Sequence, residues 1–203
     1  MAFYVFNGKT YPRVTEILRL VEDTEGLQGW RNRTPDHEAI STRAKTLGSL
    51  MHWCLANELS PVPIELDKEL PMCDWPKDAM AELSGRMNQF KCLRLAIAPN
   101  PVLEHVIHHD EPGEFFAGTL DGRGDVNGYK AIWDYKGSKR MRPEYRLQLG
   151  AYYIGSLREG FEAERGFVIR LQRDEREVLE LDAEELRDEG AKFLELARRW
   201  HKE

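Results

Sequence analysis

The chain has 203 residues, of which 41% are hydrophobic and 32% charged, and its formal net charge at pH 7 is −6. This length and composition suit one domain with a full hydrophobic core, and we treat residues 1–203 as a single domain. The net charge argues against a protein that coats nucleic acid through bulk electrostatics, although it permits a local basic groove. No apolar run approaches the roughly 20 residues that span a bilayer, and the N-terminus lacks a signal-peptide pattern, so we expect a cytoplasmic protein without membrane contact.

The N-terminal segment predicts a hairpin followed by short, irregular structure. Asn7-Gly8 lies between two β-favouring runs and readily takes the positive φ angles of a tight turn. Thr15 is a candidate cap for a short helix that ends near Leu20. Residues 26–35 are interpreted as irregular because their glycines and proline disfavour regular structure.

A longer helix is predicted over residues 35–59, where apolar residues recur at helical spacing. Gly48 and His52 lie four residues apart and therefore on one face of this helix. A glycine inside a helix costs about 1 kcal/mol relative to alanine, so we expect another group to approach that face closely. A lone helical histidine is usually structural, and only its context favours a functional role.

The middle of the chain predicts a connection, a helix and a strand. Residues 60–76 contain four prolines and are interpreted as the connection. A helical pattern follows over 78–96, and residues 102–109 are strand-like with three histidines. Because neighbouring strand residues face opposite sides, we interpret these histidines as part of a half-exposed strand rather than as metal ligands. They are His105, His108 and His109.

Two strand-like runs carry the charged residues whose arrangement most strongly suggests catalytic chemistry. Asp121 follows the first run, Asp134 and Lys136 end the second, and residues 121–128 between them are rich in turn signals. Since strand residues i and i+2 share a face, Asp134 and Lys136 would project into the space that Asp121 also faces. An Asp-x-Lys pattern alone is more often solvated polar alternation. At the end of a buried strand, however, such charges are costly unless they are paired or bind metal, and this favours phosphodiester hydrolysis.

A helix is predicted over residues 144–157, with Gln148 and Tyr152 on a common face because they are four residues apart. Basic residues cluster just before this helix and at its start. They suit contacts with phosphates, although a solvated surface would explain them equally well without the neighbouring motif. Those that we assign to nucleic-acid binding are Lys139, Arg140, Arg142 and Arg146.

The C-terminal segment predicts two strands, over residues 166–171 and 177–181, and a closing helix. Asp182 and Glu185 have the spacing of a capping box at the start of this helix. The order of helices, strands, a helix, strands and a last helix predicts an α/β domain with a mixed central sheet flanked by helices.

Together, the strand and helix motifs resemble the RecB-like exonuclease branch of the PD-(D/E)XK nuclease superfamily. The matching pieces are G-T-x-D ending at Asp121, D-Y-K at 134–136, and Q-x-x-x-Y from Gln148 to Tyr152. Each short motif is weakly specific alone, whereas their joint occurrence in this order is much more specific.

Two upstream segments extend this resemblance. The arrangement R-(x)4-G-(x)3-H from Arg43 to His52 resembles a helix of this branch that ends in a metal-facing histidine. Residues 11–18 resemble its Y-P-S-V-T-x-I-L segment, with Arg13 where serine is usual.

The resemblance implies a restriction-endonuclease-like core and a metal-dependent DNA exonuclease that acts on single-stranded ends. Such enzymes, some of them phage-encoded, serve DNA replication, recombination or repair; the sequence does not identify a protein partner. The implied catalytic residues are Asp121, Asp134, Lys136, Gln148 and Tyr152. The implied ligands of one or two Mg²⁺ or Mn²⁺ ions are His52, Glu104, Asp121, Asp134 and the carbonyl of Tyr135. Arg43 joins the basic residues named above as a nucleic-acid contact.

Some members of the branch carry an iron–sulfur cluster, which takes four cysteine ligands. This chain has only Cys54, Cys73 and Cys92, so we expect no such cluster. Two other functions stay open from the sequence. A non-catalytic nucleic-acid-binding relative would lack metal-dependent turnover, although the presence of every core position favours an enzyme. A restriction-type or junction-resolving endonuclease of the same superfamily would cut without a free end.

Overall fold

A computed structural model describes residues 3–22, 24–65 and 77–202 of the chain. The strands are β1 (Phe3–Phe6), β2 (Lys9–Pro12), β3 (Val102–His109), β4 (Phe116–Val126), β5 (Tyr129–Lys136), β6 (Arg165–Leu171) and β7 (Arg176–Asp182). The helices are α1 (Val14–Ile17), α2 (Thr24–Arg33), α3 (His37–Leu59), α4 (Lys77–Lys91), α5 (Glu144–Leu157) and α6 (Ala183–Trp200). A 3₁₀ turn, Leu18–Leu20, follows α1.

Five of these strands form one mixed sheet in the order β3-β4-β5-β6-β7. Neighbouring strands are antiparallel except for β5 and β6, which run parallel and are joined through α5. A parallel pair needs such a crossover, because a short hairpin joins only antiparallel strands. This arrangement confirms the predicted α/β fold with a mixed central sheet flanked by helices, and it is consistent with a restriction-endonuclease-like core.

The sheet is buried on both faces, which gives the fold two hydrophobic cores. One core joins the sheet to α1, α5 and α6, and includes Ile132 and Leu149. The other joins it to α3 and α4, and includes Trp133 and Leu55. Ile132 and Trp133 enter opposite cores because successive strand residues face opposite sides. Gly122 makes the second packing possible, since a Cβ there would lie 2.1 Å from the Trp133 ring.

Several predicted local features are confirmed by the structure. Asn7 and Gly8 have φ angles of 49° and 78°, as the predicted hairpin turn requires. Asp182 accepts a hydrogen bond from the Glu185 backbone while the Glu185 side chain accepts one from the Asp182 backbone, so the predicted capping box is present. In the described ranges, no helix is long and apolar enough to cross a membrane.

Other local predictions were wrong. Residues 24–33 form a helix, α2, although two glycines in it lower helix propensity by about 1 kcal/mol each. The first helix starts at Val14 with Arg13 at its N-cap, so Thr15 lies inside it and does not cap it. The helix predicted over 78–96 ends at Lys91.

The predicted turn-rich connection over 121–128 was also wrong, because β4 continues to Val126. Only Asn127-Gly128 turns the chain, with φ angles of 56° and 86°. Gly122 and Gly124 serve packing rather than turning, since a Cβ at either position would lie close to Trp133 or Pro101. The prolines at 71 and 76 and Cys73 lie outside the described residues.

Candidate active site

Two acidic residues mark the point where β4 and β5 separate. The antiparallel pairing of these strands ends with Gly122 opposite Trp133, so the next positions in register would be Asp121 and Asp134. Instead of a backbone pair, the Tyr135 N–H donates a hydrogen bond of 2.5 Å to Asp121 Oδ2. Asp121 is only 5% exposed and Asp134 only 3%. Two buried carboxylates this close are costly unless cations or donors compensate them.

The backbone is strained beside this point. On β3, Leu103 pairs with Gly122 and His105 pairs with Leu120, which leaves Glu104 opposite Asp121. Glu104 has a φ of 47°, in the left-handed region that is unfavourable for a non-glycine residue. Such strain costs on the order of 1–3 kcal/mol and is found mainly where a site needs it.

The strain has a visible consequence for the sheet. Leu103 contacts the core under α3 and α4, whereas Ile107, an even number of residues later, lies in the opposite core. Regular alternation would put both on one face, so the strand turns over between them. The reversal occurs at Glu104, and it brings this residue into the opening between the strands.

His52 reaches the same opening from α3. Its Nδ1 lies 2.9 Å from Asp121 Oδ1, and one ligand atom each from His52, Glu104 and Asp121 all lie within 4.8 Å of one another. Neighbouring ligands of an octahedral ion with bonds of about 2.1 Å are about 3.0 Å apart, close to the His52–Asp121 separation. An imidazole with two carboxylates is a donor set that divalent cations use. These three residues therefore fit a metal ion.

Without a metal, protons balance the charges of this group. Burial alone would lower the pKa of His52, but the charge of Asp121 and its hydrogen bond raise it to about 9. Burial, followed by the negative charge of Asp121, raises the pKa of Glu104 to about 7. The site thus holds protons near neutral pH that a bound cation would replace.

Lys136 and Asp134 form a buried ion pair at the end of β5. The Lys136 ammonium lies 2.6 Å from Asp134 Oδ2. Burial alone would lower the pKa of Lys136, but the negative charges of Asp134 and Asp121 raise it, so the ammonium keeps its proton. Burial raises the pKa of Asp134 to about 6, against the opposing effect of Lys136. The ammonium also lies 5.0 Å from the centre of the Tyr145 ring.

The helix α5 fixes the other oxygen of Asp134. Gln148 Nε2 donates to Asp134 Oδ1 at 3.1 Å and to the Tyr152 hydroxyl at 2.7 Å. Gln148 and Tyr152 share a helix face because they are four residues apart. Tyr152 in turn packs against Gly118 of β4, where a Cβ would lie 2.9 Å from its ring.

The turn that follows β5 is held by side chains from other elements. Gln172 donates to the carbonyl oxygens of residues 137 and 138 at 2.7 and 3.0 Å. Arg170 reaches the Lys139 carbonyl at 3.3 Å, and the buried Arg86 of α4 reaches the Gly137 carbonyl at 3.4 Å. A Cβ at Gly137 would lie 2.2 Å from the Arg86 guanidinium, so a side chain at this position would displace Arg86. The backbone that follows Lys136 is therefore held in a fixed position.

The structure thus brings together most of the residues predicted for the site. Tyr135 contributes its backbone N–H to Asp121, and its ring packs edge-on at 6.1 Å from His52. The residues brought together are His52, Glu104, Asp121, Asp134, Tyr135, Lys136, Gln148 and Tyr152.

The basic residues predicted to bind nucleic acid divide into two groups. Lys139 and Arg140 are exposed on the turn after β5, and within the described ranges neither has a carboxylate partner. Arg43 instead pairs with Asp78, and Arg142 lies 3.5 Å from Glu144. Arg146 points to α6, where it pairs with Glu185 at 2.9 Å and Glu189 at 3.3 Å. Its guanidinium is engaged between two helices, and its phosphate contact stays a prediction.

The three histidines of β3 do not join the site. His105 Nε2 lies 2.8 Å from Glu159, and His108 stacks on Phe6 with ring centres 4.8 Å apart. His109 stacks on Phe116, with ring centres 5.4 Å apart. These contacts agree with the interpretation of a half-exposed strand.

Sequence reasoning missed part of the site's surroundings. Tyr145 could have been found, since it precedes Gln148 by three residues on the same helix face. Tyr4 could not have been found, because the hairpin brings its hydroxyl to 2.7 Å from Thr119 across 115 residues of sequence. No local pattern encodes such a contact.

No family model and no curated protein matches this chain. Among solved structures, it is similar to the one described as the crystal structure of SSO0001, with 16% identity and a TM-score of 0.41. The alignment covers 91% of this chain and 75% of that one. So distant a likeness identifies no function.

Proposed function

We propose that this protein is a metal-dependent deoxyribonuclease that hydrolyses phosphodiester bonds from single-stranded ends. The observation that supports this proposal is that a candidate metal site and a buried ammonium group lie side by side where β4 and β5 separate. His52, Glu104 and Asp121 offer ligands for a divalent cation, and beside them Lys136 holds its ammonium against Asp134. A cation site next to a fixed ammonium suits a reaction that develops negative charge on phosphate oxygens.

The residues of the site would have different chemical roles. Asp121, Glu104 and His52 would hold Mg²⁺ or Mn²⁺, with Asp134 and the Tyr135 carbonyl as further ligands. A bound divalent ion would lower the pKa of a water molecule and neutralise charge on the phosphate. The sequence motifs named above agree with this chemistry, since their charged positions are the ones that meet here.

Lys136 would act on the reacting phosphate or on the attacking water. Its ammonium is held by the charge of Asp134, lies over the Tyr145 ring and is only 16% exposed on its side chain. A preorganised charge in a water-poor site stabilises a transition state more than a mobile one does. Gln148 would keep Asp134 in place by its hydrogen bond, and Tyr152 would hold Gln148.

Lys139 and Arg140 are the predicted phosphate contacts that remain unpaired among the described residues. They lie three and four residues after Lys136, on the turn that follows β5, so they would guide the strand as it leaves the reacting position. A few such contacts give salt-dependent binding even in a chain with a net negative charge.

A labelled single-stranded oligonucleotide incubated with Mn²⁺ or Mg²⁺, with and without a chelator, tests this function. We expect shortening only with the metal, and its loss in Asp121→Asn and Asp134→Asn. Asp125→Asn is the matched control, since Asp125 lies on the same strand as Asp121 but is exposed, and its side chain accepts a hydrogen bond from the Gly128 N–H. DNA binding without metal-dependent cleavage would instead indicate a non-catalytic binding protein.

A further inference from the structure

The N-terminal hairpin contacts the strand that carries Asp121. Tyr4 of β1 shares a hydrogen bond of 2.7 Å with the hydroxyl of Thr119, which precedes Asp121 by two residues. Residues 116–121 of β4 lie beyond its pairing with β5, so this edge of the strand is open to another segment. Arg13 fills part of the edge through a parallel bridge with Ala117.

Two contacts position Arg13 beside the strand that carries Asp121. Its backbone is fixed by the bridge to β4, and its guanidinium lies 5.3 Å from the centre of the Tyr4 ring. The side chain is exposed, and in the part of the chain that the structure describes it has no carboxylate partner. An arginine that stacks on an aromatic ring keeps its N–H donors available.

Arg13 shares this absence of a carboxylate partner with Arg140, and it contrasts in this respect with two other arginines near the site. Arg43 and Arg146 both have acidic partners, in a chain with 35 acidic and 29 basic residues. An acidic chain offers many carboxylates, yet Arg13 is directed at a tyrosine instead. The contacts therefore preserve a positive charge at one position.

We infer that Arg13 binds a backbone phosphate of the DNA strand, next to the phosphate that is cut. This inference rests on the nuclease function proposed above. Arg13 approaches the site from the β4 side, whereas Lys139 and Arg140 lie on the β5 side, so a strand that contacts both would pass over Asp121. The guanidinium matches a phosphate because it donates two parallel hydrogen bonds.

The first test compares binding of single-stranded DNA by the wild type and by Arg13→Ala at several salt concentrations. Each phosphate contact adds about 0.7 to the slope of log K against log salt for single strands. Loss of one contact should therefore lower the slope by about 0.7 and weaken binding roughly fivefold at 0.1 M salt. Mn²⁺ affinity should not change, and Arg13→Lys should recover part of the binding.

Arg19→Ala is the matched control, because Arg19 is exposed nearby but pairs with Glu16 at 2.7 Å. It should leave the salt slope unchanged. Tyr4→Ala should reproduce the loss seen in Arg13→Ala, since the ring positions the guanidinium, whereas Tyr4→Phe keeps the ring and should have a smaller effect. Equal slopes for the wild type and Arg13→Ala would overturn the inference.

A second test locates the contact. Oligonucleotides with one neutral methylphosphonate linkage, moved stepwise along the strand, are bound to both proteins. The Arg13→Ala penalty should disappear at one linkage within two positions of the cleaved bond. A penalty that is the same at every position would mean that Arg13 acts only through long-range charge, and the inference would fail. If the wild type cleaves DNA normally in that case, the proposed function survives while this inference does not.

Discussion

At the scale of single residues, the protonation of the metal-binding group couples metal binding to pH. His52 has a pKa of about 9 and Glu104 of about 7 in the metal-free protein, and both must lose a proton to bind a cation. Mn²⁺ affinity should therefore rise about tenfold per pH unit between pH 7 and 9, and more steeply just below pH 7. Calorimetry in buffers of different ionisation enthalpy would count the protons released. His52→Gln should flatten the dependence above pH 7, and a pH-independent affinity would contradict the ligand assignment.

The same groups predict how the metal-free fold responds to pH. The folded pKa of His52 lies above its usual value of 6.5, so its stabilising effect is complete below pH 6.5 and is lost as pH rises through about 9. The pKa values of Glu104 and Asp134 are also raised, to about 7 and about 6. Their protonated forms therefore also stabilise the fold, and this stabilisation is lost as pH rises through those values. The free energy of unfolding without metal should fall as pH rises from 6.5 to 9. Urea titrations should show this fall, and saturating Mn²⁺ should reverse it.

A Lys136 variant distinguishes a role in catalysis from a role in DNA binding. Lys136→Ala should reduce the rate of cleavage by about 10²–10³, the usual cost of losing one group that stabilises the transition state. DNA affinity should change little, because one ammonium among several cations matters less to the ground state. Lys139→Ala, on the exposed turn, is the control and should weaken binding with little change in the single-turnover rate. Equal losses of rate and affinity in Lys136→Ala would argue against a catalytic role.

At the scale of elements, α3 presents an open surface to the site. Among the residues that the structure describes, a Cβ at Gly48 would meet nothing within 4 Å, so none of them makes the close approach expected from the sequence. Gly48 lies one turn before His52 on the same helix face. None of the described residues fills the space above it, and a substrate would fit there.

Gly48→Ala tests whether the substrate uses this space. Alanine inside a helix should stabilise the fold by about 1 kcal/mol, whereas cleavage should slow if the strand passes over Gly48. Gly150→Ala is the opposite control: its Cβ would lie 2.4 Å from the Glu189 backbone, so we expect a loss of about 1–3 kcal/mol. Thermal unfolding and single-turnover rates would measure both effects. Unchanged cleavage in Gly48→Ala would place the DNA elsewhere.

The elements also show which parts of the site could be predicted from sequence. Asp134 and Lys136 were predictable because their spacing of two fixes a shared strand face, and Gln148 with Tyr152 because a spacing of four fixes a shared helix face. The strained backbone of Glu104 was not predictable, since it depends on pairing with β4. The direction of Arg146 was not predictable either, because acidic residues of α6 attract it. Local periodicity determines the faces of an element, whereas tertiary packing selects the partners.

At the scale of the whole molecule, elements from distant parts of the chain surround the site. The helix α3 covers it with His52, the hairpin borders it through Tyr4, and α5 borders it through Gln148. Residues 61–65 are tied back to α3, because Trp53 and Asn57 both bond Ile64. The connection predicted over residues 60–76 lies largely outside the described residues.

A site bordered on three sides favours a strand that enters by its end. A single strand fits between these elements more easily than a duplex does. Proteins bind single strands through aromatic rings that stack on unpaired bases and through contacts with the phosphates. Linear single-stranded DNA should therefore be shortened progressively in Mg²⁺ or Mn²⁺. A closed single-stranded circle of the same sequence should survive, and cutting it once beforehand should restore its degradation. Gel analysis of both forms, with Asp121→Asn as the inactive control, would decide between end-dependent and internal cutting. Rapid cleavage of the closed circle would favour an endonuclease, because internal cutting requires that the strand reach the site from the side.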